Sequence, residues 1–462
     1  MREIQTKLLI IGAGPGGYVC AIRAGQLGID TIVVDRGNPG GTCLNVGCIP
    51  SKALIHAADE FHKAKNFTAA NPIGIETENV KIDLAKTMQW KDAIVQRLNV
   101  GVAGLMKRNG VRLIEGWANI IDGKSISVET PTGTQVIRTE HLVLATGSAP
   151  VELPFLPFGD KVISSTDALS LQDVPNTMAV IGGGYIGMEL GIAYAKLGTQ
   201  VTIVEAEKNI LGLYDAELTR PVVKNMGTLG IEVLTNTKAK TLDEGALVIE
   251  QSDGSLRRLN ADKILVTVGR RPLTAGWGLS GLGLDTDGPF IRIDEKCRTS
   301  MRGIYAIGDL TGEPMLAHRA MAQGEMVADI IAGEPRIWDR ICIPTVCFTD
   351  PEIVSVGLTP DEAKQQAIDV KIGAFQLQAN GRTMTMQGAN GMIRVVARRD
   401  NHVILGIQAV GSAVSELSAG FALALEMGAR LEDLAETIHA HPTQSEGLQE
   451  ASLKALGMAI HG

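Results

Sequence analysis

Two long stretches of the chain repeat one order of apolar and polar positions. Each stretch begins with a short apolar run, which is followed by a cluster of glycines. A segment with apolar residues on one helical face comes next, and the stretch ends in a second apolar run with a carboxylate at or near its end. The first reads KLLIIGAGPGGYVCAIRAGQLGIDTIVVD and the second MAVIGGGYIGMELGIAYAKLGTQVTIVEA. This order predicts strand, tight turn, helix and second strand, the repeating unit of a parallel α/β sheet.

The glycines of each unit have the spacing GxGxxG, which is typical of dinucleotide-binding turns. The first glycine permits the turn, the second lets the backbone approach a pyrophosphate, and the third lets helix and strand pack closely. A carboxylate at the end of the second strand can accept hydrogen bonds from ribose hydroxyls. The alternative for either copy is a βαβ unit that binds no nucleotide. The residues are Gly12, Gly14, Gly17 and Asp35 in the first unit, and Gly182, Gly184, Gly187 and Glu205 in the second.

The residues after the second unit indicate which nicotinamide dinucleotide binds. The carboxylate of Glu205 would repel the 2′-phosphate of NADP. The next residues, Ala206 and Glu207, supply no arginine for that phosphate. We therefore expect NAD, and two dinucleotide units suit an electron transfer between two redox cofactors.

Other apolar runs predict the rest of the fold. SISVETPTGTQVI predicts a hairpin, HLVLATGSAP a buried strand, and DKILVTVGRRP and TSMRGIYAIGDL further strands. From about 341 the strand-like stretches VCFTD, MIRVVARR and HVILGIQAVG precede helices near 415–428 and 444–459. The predicted fold class is α/β, with two Rossmann-like dinucleotide-binding domains and a C-terminal α+β domain. The expected bounds are 1–150 and 151–275 for the dinucleotide domains, 276–340 for a central segment and 341–462 for the C-terminal domain.

Composition narrows the classes of function. The chain has 462 residues and a net charge of −8, which argues against a nucleic-acid or anionic-membrane partner because such surfaces attract a surplus of Lys and Arg. No apolar run reaches the roughly 18 residues of a membrane span. The first strand begins by Lys7 with no cleavable apolar segment before it. We expect a cytoplasmic protein, in particular of a bacterial cytosol.

The stretch GGTCLNVGCIPSK places Cys43 and Cys48 five positions apart. Extended steps would separate the sulfurs too far for a disulfide, and in an ideal helix positions i and i+5 point about 140° apart. We therefore predict a distorted turn that leads into a helix, with Pro50 in its first turn. A thiol at a helix N-terminus near Lys52 has a lowered pKa. Two such sulfurs can cycle between dithiol and disulfide by exchange with an external thiol.

The other four cysteines are expected to be unreactive. Cys20 falls on the apolar face of the first helix, and Cys297 falls in a predicted surface stretch. Cys342 and Cys347 repeat the five-residue offset in CIPTVC, but no glycine pair precedes them and no lysine-bearing helix follows. A cytosolic chain keeps such thiols reduced.

GGTCLNVGCIPSK and the two glycine fingerprints together resemble the flavoprotein disulfide reductases, and among these the dihydrolipoamide dehydrogenases. ATGS at 145–148, GIYAIGD at 303–309, MLAHRAMAQGE at 315–325 and HAHPTQSE at 439–446 occur in the order found in that family. The resemblance covers essentially the whole chain. It implies that the first unit binds FAD and the second NAD, that 276–340 completes the FAD site, and that 341–462 forms the interface of a homodimer.

The resemblance also implies roles for the sulfur-bearing stretch. Cys43 would be the sulfur that exchanges with substrate, and Cys48 the sulfur that faces the flavin. Lys52 would lie by the flavin N5, paired with Glu189 on the helix of the second unit. Dihydrolipoamide would reduce the Cys43–Cys48 disulfide, and the electrons would pass to FAD and then to NAD.

A base for the incoming thiol is implied near the C-terminus. His441 would be that base, oriented by Glu446, and would act on the disulfide of the other subunit; His439 is read as structural. No metal site is expected. The implied FAD contacts are Gly12, Gly14, Gly17, Asp35, Thr42, Lys52, Gly116, Thr146, Gly147, Asp309 and Ala317, and the implied NAD contacts are Gly182, Gly184, Gly187, Glu205, Ala239 and Gly269.

The implied function is NAD-dependent oxidation of protein-bound dihydrolipoamide. The partner would be the lipoyl-bearing acyltransferase of a 2-oxoacid dehydrogenase complex, in particular a branched-chain one, or the lipoyl carrier of the glycine cleavage system. One alternative is another disulfide reductase such as glutathione reductase, for which the arginines that bind the NADP phosphate are missing. The other is a non-catalytic scaffold subunit of the complex, which would predict a damaged redox site.

Overall fold

The computed structural model of the protein describes residues 2–67, 71–388 and 391–461. Its first part, up to residue 150, builds most of one large sheet and the helices around it. The elements are β1 (Arg2–Ile11), α1 (Pro15–Gln26), β2 (Thr31–Asp35), α2 (Gly41–Val46), α3 (Cys48–Asn66), α4 (Leu84–Arg108), β3 (Arg112–Glu115), β4 (Trp117–Asp122), β5 (Ser125–Thr130), β6 (Gly133–Leu144) and β7 (Ser148–Pro150).

The first sheet has the strand order β3–β2–β1–β6, all parallel, and continues antiparallel into β5 and β4. The glycine turn between β1 and α1 therefore lies at the carboxyl edge of the central strand, where parallel α/β sheets bind their ligands. The predicted hairpin is confirmed as β5 and β6. The buried strand predicted at HLVLATGSAP is confirmed as the end of β6, which continues from the hairpin to the buried Leu142, Val143 and Leu144 and ends before the turn at 145–147.

The second part repeats the parallel arrangement. Its elements are β8 (Val162–Ile163), α5 (Ser165–Ala168), β9 (Thr177–Ile181), α6 (Tyr185–Leu197), β10 (Gln200–Val204), α7 (Ala216–Thr228), β11 (Glu232–Leu234), β12 (Lys238–Asp243), β13 (Ala246–Glu250), β14 (Leu256–Leu259), β15 (Lys263–Val266) and β16 (Arg270–Pro272). The parallel sheet has the order β11–β10–β9–β15–β8, and β12–β13–β14 form an antiparallel sheet beside it. Strand β16 pairs with β7, which joins the two parts.

The segment after the second part returns to the first sheet. It contains β17 (Thr286–Asp287), β18 (Phe290–Ile291), β19 (Ile304–Ala306) and α8 (Ala317–Ala332). Strand β19 pairs in parallel with β6, and α8 packs against α1. Their contact is close, because a Cβ on Gly324 of α8 would lie 2.3 Å from the carbonyl oxygen of Gly16.

The C-terminal part is an antiparallel sheet covered by helices. It contains β20 (Thr345–Cys347), β21 (Glu352–Gly357), α9 (Pro360–Gln365), β22 (Val370–Gln376), α10 (Gly381–Thr385), β23 (Met392–Arg398), β24 (Ile404–Gly411), α11 (Ser418–Glu426), α12 (Leu431–Glu436) and α13 (Glu446–Leu456). The order is β20–β21–β24–β23–β22. The predicted fold class is confirmed, whereas the four domain bounds stay predictions.

One hydrophobic core connects three parts of the chain. It contains Leu54 of α3, Met188 and Tyr194 of α6, and Cys347 and Ile353 around the first turn of the C-terminal sheet. Helix α3 is thereby packed between the second parallel sheet and the C-terminal sheet. In the described part of the chain, no helix combines the length and apolar character needed to cross a membrane.

Candidate active site

The first glycine turn is closed so tightly that side chains do not fit. Gly12 has φ +104°, and a Cβ there would lie 2.3 Å from the carbonyl oxygen of Ala145, directly after the neighbouring strand β6. A Cβ on Gly17 would lie 1.9 Å from the carbonyl oxygen of Gly12. Because α1 begins directly at this turn, its first backbone N–H groups face the space beyond the sheet edge, an arrangement that favours a bound phosphate.

A second glycine pair brings the cysteine-bearing stretch against this turn. The N–H of Gly40 donates to the carbonyl oxygen of Ala13 at 2.7 Å. Gly41 has φ +58°, and a Cβ on it would lie 2.5 Å from the Cα of Gly14. The two glycine segments touch backbone to backbone, and α2 therefore starts directly beside the dinucleotide turn.

The cysteine stretch forms the predicted distorted turn. Cys43 lies in α2, Gly47 interrupts the helix with φ −140° and ψ −110°, and Cys48 is the first residue of α3. A Cβ on Gly47 would lie 2.8 Å from the carbonyl oxygen of Thr42, so a glycine is needed for this break. Pro50 lies in the first turn of α3, as predicted. Both cysteines are free thiols and line one cavity.

The two thiols are electrostatically distinct. The thiol of Cys43 donates a hydrogen bond to the sulfur of Cys48, and this is the main reason that the pKa of Cys48 is lowered to about 7. Burial acts in the opposite direction, and the ammonium of Lys52 adds to the lowering. The same hydrogen bond, together with burial, raises the pKa of Cys43. Cys48 is therefore the sulfur that carries the negative charge of the reduced pair.

Lys52 is paired with Glu189, as the resemblance implied. Its Nζ lies 2.6 Å from Oε2 of Glu189, and only 4% of the Glu189 side chain is exposed. The other carboxylate oxygen of Glu189 accepts a hydrogen bond from the backbone N–H of Phe348 at 2.9 Å. The Lys52 Nζ also lies 4.4 Å from the centre of the Phe348 ring. Sequence reasoning missed Phe348, because an aromatic residue before Thr-Asp-Pro reads as ordinary core packing.

The cavity has a volume of about 610 Å³ and extends from the glycine turn past the thiols. This lies within the range of sites that enclose a cofactor. The predicted FAD residue Gly17 packs α1 on β1 and lies outside the lining. The predicted FAD residues that do line the cavity, along with both thiols and Glu189, are Gly12, Gly14, Asp35, Thr42, Lys52, Gly116, Thr146, Gly147, Asp309 and Ala317.

The shape and polar lining of the cavity fit a dinucleotide such as FAD. The lining includes the glycine turn and Asp35, whose carboxylate accepts hydrogen bonds from the N–H groups of Ala13 at 2.6 Å and Gly37 at 2.9 Å. The thiols and Lys52 line the same cavity. A dinucleotide held at the glycine turn would therefore share the cavity with Cys48.

Three further residues that line the cavity were not predicted as site residues. Arg270 donates to the Oγ and carbonyl oxygen of Ser148 at 2.8 and 2.7 Å, and Ser148 in turn bonds to Asp309. Tyr185, at the start of α6, is half-buried beside them, and this burial raises the pKa of its phenol to about 12. Two signals were visible: the arginine after the glycine in VGRRP follows a strand end, and Ser148 closes the ATGS motif at 145–148. Tyr185 carried none.

The predicted NAD residues lie in the second part of the chain, outside this cavity. A Cβ on Gly182 would lie 2.6 Å from the carbonyl oxygen of Thr267, so this turn repeats the closure of the first. The carboxylate of Glu205 accepts hydrogen bonds from the N–H groups of Gly183 and Glu207. Gly184 precedes α6 and Gly187 packs within it, whereas Ala239 lies in β12 and Gly269 directly before β16. Their contacts with NAD stay predictions.

His441 and Glu446 form a pair near the start of α13. Nδ1 of His441 lies 2.8 Å from Oε1 of Glu446, and the other oxygen of Glu446 accepts from the N–H of Thr443 at 2.8 Å. Both contacts lower the pKa of Glu446, and the hydrogen bond from the Thr443 backbone has the larger effect. His441 is 80% exposed and does not line the cavity of its own chain. Nε2 is therefore the ring nitrogen open to a reactant from outside.

The surface position predicted for Cys297 is wrong. Its side chain is 1% exposed and lies in the same core as Cys20, because the segment before β19 folds back under α8. Burial raises the pKa of Cys297 to about 12 and also raises the pKa of Cys20. Cys347 is buried and Cys342 half-buried, and burial raises the pKa of both thiols. None of these four sulfurs has the thiolate character of Cys48.

Comparison with known proteins identifies the family of the chain and its fold. Residues 6–324 match the family model described as pyridine nucleotide-disulphide oxidoreductase, and residues 343–452 match the dimerisation domain of that family. The chain belongs to the pyridine nucleotide-disulphide oxidoreductase family. A dihydrolipoyl dehydrogenase of Pseudomonas aeruginosa is 56% identical over 459 residues, 99% of each chain, and one of Geobacillus stearothermophilus is 44% identical over 99% of this chain and 98% of its own.

A solved structure has the same architecture. LpdA from Mycobacterium tuberculosis superposes with a TM-score of 0.89 at 25% identity, over 97% of this chain and 99% of its own. FAD and NAD, the predicted cofactors, are those of the dihydrolipoyl dehydrogenases of this family. The dimerisation domain supports the predicted homodimer.

Proposed function

We propose that this protein oxidises dihydrolipoamide and reduces NAD, the activity of a dihydrolipoyl dehydrogenase, with FAD bound in the cavity of the first domain. The observation that carries this proposal is the thiol pair of Cys43 and Cys48 at one end of a dinucleotide cavity, beside the Lys52–Glu189 ion pair. A full-length relative at 56% identity with that name supports the choice of substrate.

The reaction begins with the Cys43–Cys48 disulfide. A lipoyl thiolate attacks the sulfur of Cys43, the Cys43–Cys48 bond breaks, and Cys48 leaves as a thiolate. The second lipoyl thiol then attacks the mixed disulfide, which releases oxidised lipoamide and leaves Cys43 as a thiol. Cys48 suits the leaving position because its lowered pKa makes it the better leaving group.

Residues of the chain manage the protons and charges of this exchange. His441 takes the proton of the incoming thiol at Nε2, while Glu446 fixes its ring and stabilises the charged form. Lys52 neutralises the thiolate that forms on Cys48. When bound, FAD accepts the electron pair of the dithiol and delivers it to NAD, which restores the disulfide.

The position of His441 supports a site shared between two subunits. His441 and Glu446 lie in the dimerisation domain and away from the cavity of their own chain. In a homodimer the base of one subunit would reach the disulfide of the other. Each active site would then need both chains.

The lipoyl group would arrive on another protein. We propose as partners the lipoyl-bearing acyltransferase of a 2-oxoacid dehydrogenase complex, with a branched-chain complex first, or the lipoyl carrier of the glycine cleavage system. These carriers are cytoplasmic in bacteria, and we propose the same location here. The relatives named dihydrolipoyl dehydrogenase support this assignment by their activity alone.

The test compares two substrate pairs on the purified holoprotein. We expect rapid reduction of NAD by dihydrolipoamide and little oxidation of NADPH by glutathione disulfide. The reverse preference would show a glutathione reductase. A flavin-loaded protein inactive with both pairs would point instead to a scaffold subunit.

A further inference from the structure

Besides the thiols, the ammonium of Lys52 has two neighbours, the carboxylate of Glu189 and the ring of Phe348. Phe348, directly after strand β20 of the C-terminal sheet, takes part in both contacts. The Lys52 Nζ lies 2.6 Å from Glu189 and 4.4 Å from the centre of the Phe348 ring. The N–H of Phe348 donates to the carboxylate oxygen of Glu189 that Lys52 does not use. Phe348 thus contacts each member of the ion pair, one through its backbone and one through its ring.

Phe348 itself is held on both sides. It follows β20, whose last residue Cys347 is buried and pairs with Ile353. After it, the buried Thr349 bonds through its hydroxyl to the carbonyl oxygen of Pro351 at 2.7 Å. The carboxylate of Asp350 pairs with the buried Lys196 of α6 at 2.6 Å. The ring therefore approaches Lys52 from a fixed backbone.

The ammonium matters because it faces the sulfur that carries charge. The titratable groups around Cys48 are Cys43 on α2, Lys52 on α3, and Glu189 and Tyr185 on α6. Lys52 is the cation of this set. A long, partly exposed lysine side chain loses much of its effect on a neighbouring thiol when it moves, and an aromatic face within about 6 Å holds a cation in place.

We propose that Phe348 is a positioning residue of the redox reaction, which holds the ammonium of Lys52 between Glu189 and the sulfur of Cys48. This inference rests on the proposed function and adds a contribution from the dimerisation domain to the chemistry of its own subunit. The simpler alternative is that Phe348 only fills space between α3 and the C-terminal sheet.

The experiment removes the ring and keeps the backbone N–H. The variants are Phe348→Leu, Phe348→Met as a second aliphatic replacement, and Phe348→Tyr, which restores a ring. Phe421→Leu is the matched control, because Phe421 is 1% exposed in the core of the same C-terminal domain and away from Lys52. The readout is the long-wavelength absorbance of the Cys48 thiolate beside the flavin in the reduced holoprotein, measured against pH without substrate.

We expect the two aliphatic variants to raise the pH midpoint of thiolate formation by about half a unit, the equivalent of one exposed cation–π contact. Phe348→Tyr should keep the pH midpoint of the parent protein. Phe421→Leu should lower the melting temperature and leave the pH midpoint unchanged. An unmoved midpoint in the aliphatic variants, or an equal shift in Phe421→Leu, would overturn the role of Phe348. Failure of the parent protein to turn over dihydrolipoamide would be a separate result, which would overturn the proposed function.

Discussion

At the scale of single residues, Cys48 is the cysteine of the described chain in which three features coincide. It is the first residue of a helix, it accepts a hydrogen bond from Cys43, and it lies near the ammonium of Lys52. Helix N-termini and cations both stabilise a thiolate. The reactivity of this sulfur follows from the combination, since Cys342 and Cys347 share the five-residue spacing and yet burial raises the pKa of both, even though Lys52 also acts on Cys347.

The first prediction concerns the charge on that sulfur. The pKa of Cys48 is lowered to about 7, so the thiolate persists above that pH and is lost below it. Lys52→Met should move the midpoint upward toward the value of about 8.5 for an ordinary cysteine. The rate of iodoacetamide alkylation of the reduced, flavin-free protein against pH measures this midpoint.

The control for this experiment is Lys63→Met, on the same helix. Lys63 is exposed and pairs with Glu60 rather than with a sulfur, so the alkylation midpoint should not change. A midpoint for Lys52→Met equal to that of the parent protein would show that the helix N-terminus and Cys43 are sufficient to lower the pKa of Cys48.

Sequence reasoning recovered some of these residues and missed others for physical reasons. The turn at Cys43–Cys48 followed from chain geometry. Lys52 and Glu189 are 137 positions apart, so local pattern could not pair them, and their pairing came from the resemblance to a known family. Phe348 was missed because it is also far from Lys52 in sequence and the resemblance did not point to it. Cys297 was misplaced because its burial depends on contacts with other parts of the chain.

At the scale of elements, glycines without space for a side chain determine where α2 and α3 lie. Gly41 combines a left-handed backbone with an approach to Gly14 that leaves no room for a Cβ. Gly41→Ala should cost about 1–2 kcal/mol for the backbone conformation alone, and the displaced loop should lose most of its bound FAD. Flavin content per chain after purification is the measurement.

Gly101→Ala is the matched control for that substitution. Gly101 lies inside α4, where a Cβ would meet nothing within 4 Å, so alanine should stabilise the helix by up to about 1 kcal/mol. Flavin content should stay unchanged. Full flavin content in Gly41→Ala would contradict the account of the two touching glycine segments.

A second element-scale feature is the buried cation that joins three parts of the chain. Lys196 of α6 is 6% exposed and pairs with Asp59 of α3 and Asp350 of the C-terminal part. Burial alone would lower its pKa, but these carboxylates outweigh that effect and raise it. Lys196 lies seven residues after Glu189, and Asp59 seven after Lys52, so the two ion pairs join the same two helices.

Lys196→Met should therefore destabilise the folded chain by about 1–2 kcal/mol, because it removes the cation that two carboxylates share, although these are 40% and 36% exposed and water screens part of the loss. Denaturant unfolding measures the change. Lys240→Met, which breaks the exposed pair with Glu250, should have little effect. Equal stabilities for the two variants would mean that the buried cation contributes nothing beyond a surface pair.

The elements themselves were predicted unevenly. The two glycine units have long, regular patterns and were placed within a few residues. Strand β22 was missed because Gly373 interrupts its pattern, yet α13 requires that glycine, since a Cβ there would lie 2.0 Å from the carbonyl oxygen of Ala451. Helix α12 has only six residues, too few to show a helical period.

At the scale of the whole molecule, the proposed site joins the disulfide of one subunit to the base of the other. Cys43→Ser and His441→Gln chains should each form inactive homodimers. Unfolding and refolding a 1:1 mixture should restore roughly one quarter of the parent activity, because half of the dimers would be mixed and each would contain one intact site. Dihydrolipoamide-dependent NAD reduction measures this recovery.

The same mixture distinguishes a shared site from one built within a single chain. If His441 served the disulfide of its own chain, every site in a mixed dimer would carry one substitution and activity would stay at the background level. Absence of recovery in dimers shown to be mixed by mass would contradict the shared site and leave the redox pair unaffected.

The central claim is that Cys43 and Cys48 alternate between disulfide and dithiol as electrons pass from dihydrolipoamide to NAD. Its most direct measurement is a count of alkylated thiols by mass spectrometry in the oxidised holoprotein, after one equivalent of dihydrolipoamide, and again after NAD is added. We expect both cysteines to be protected at first, both to become alkylated after dihydrolipoamide, and both to be protected again as one NADH forms per site. NADH formation while these two thiols never change state would contradict the account.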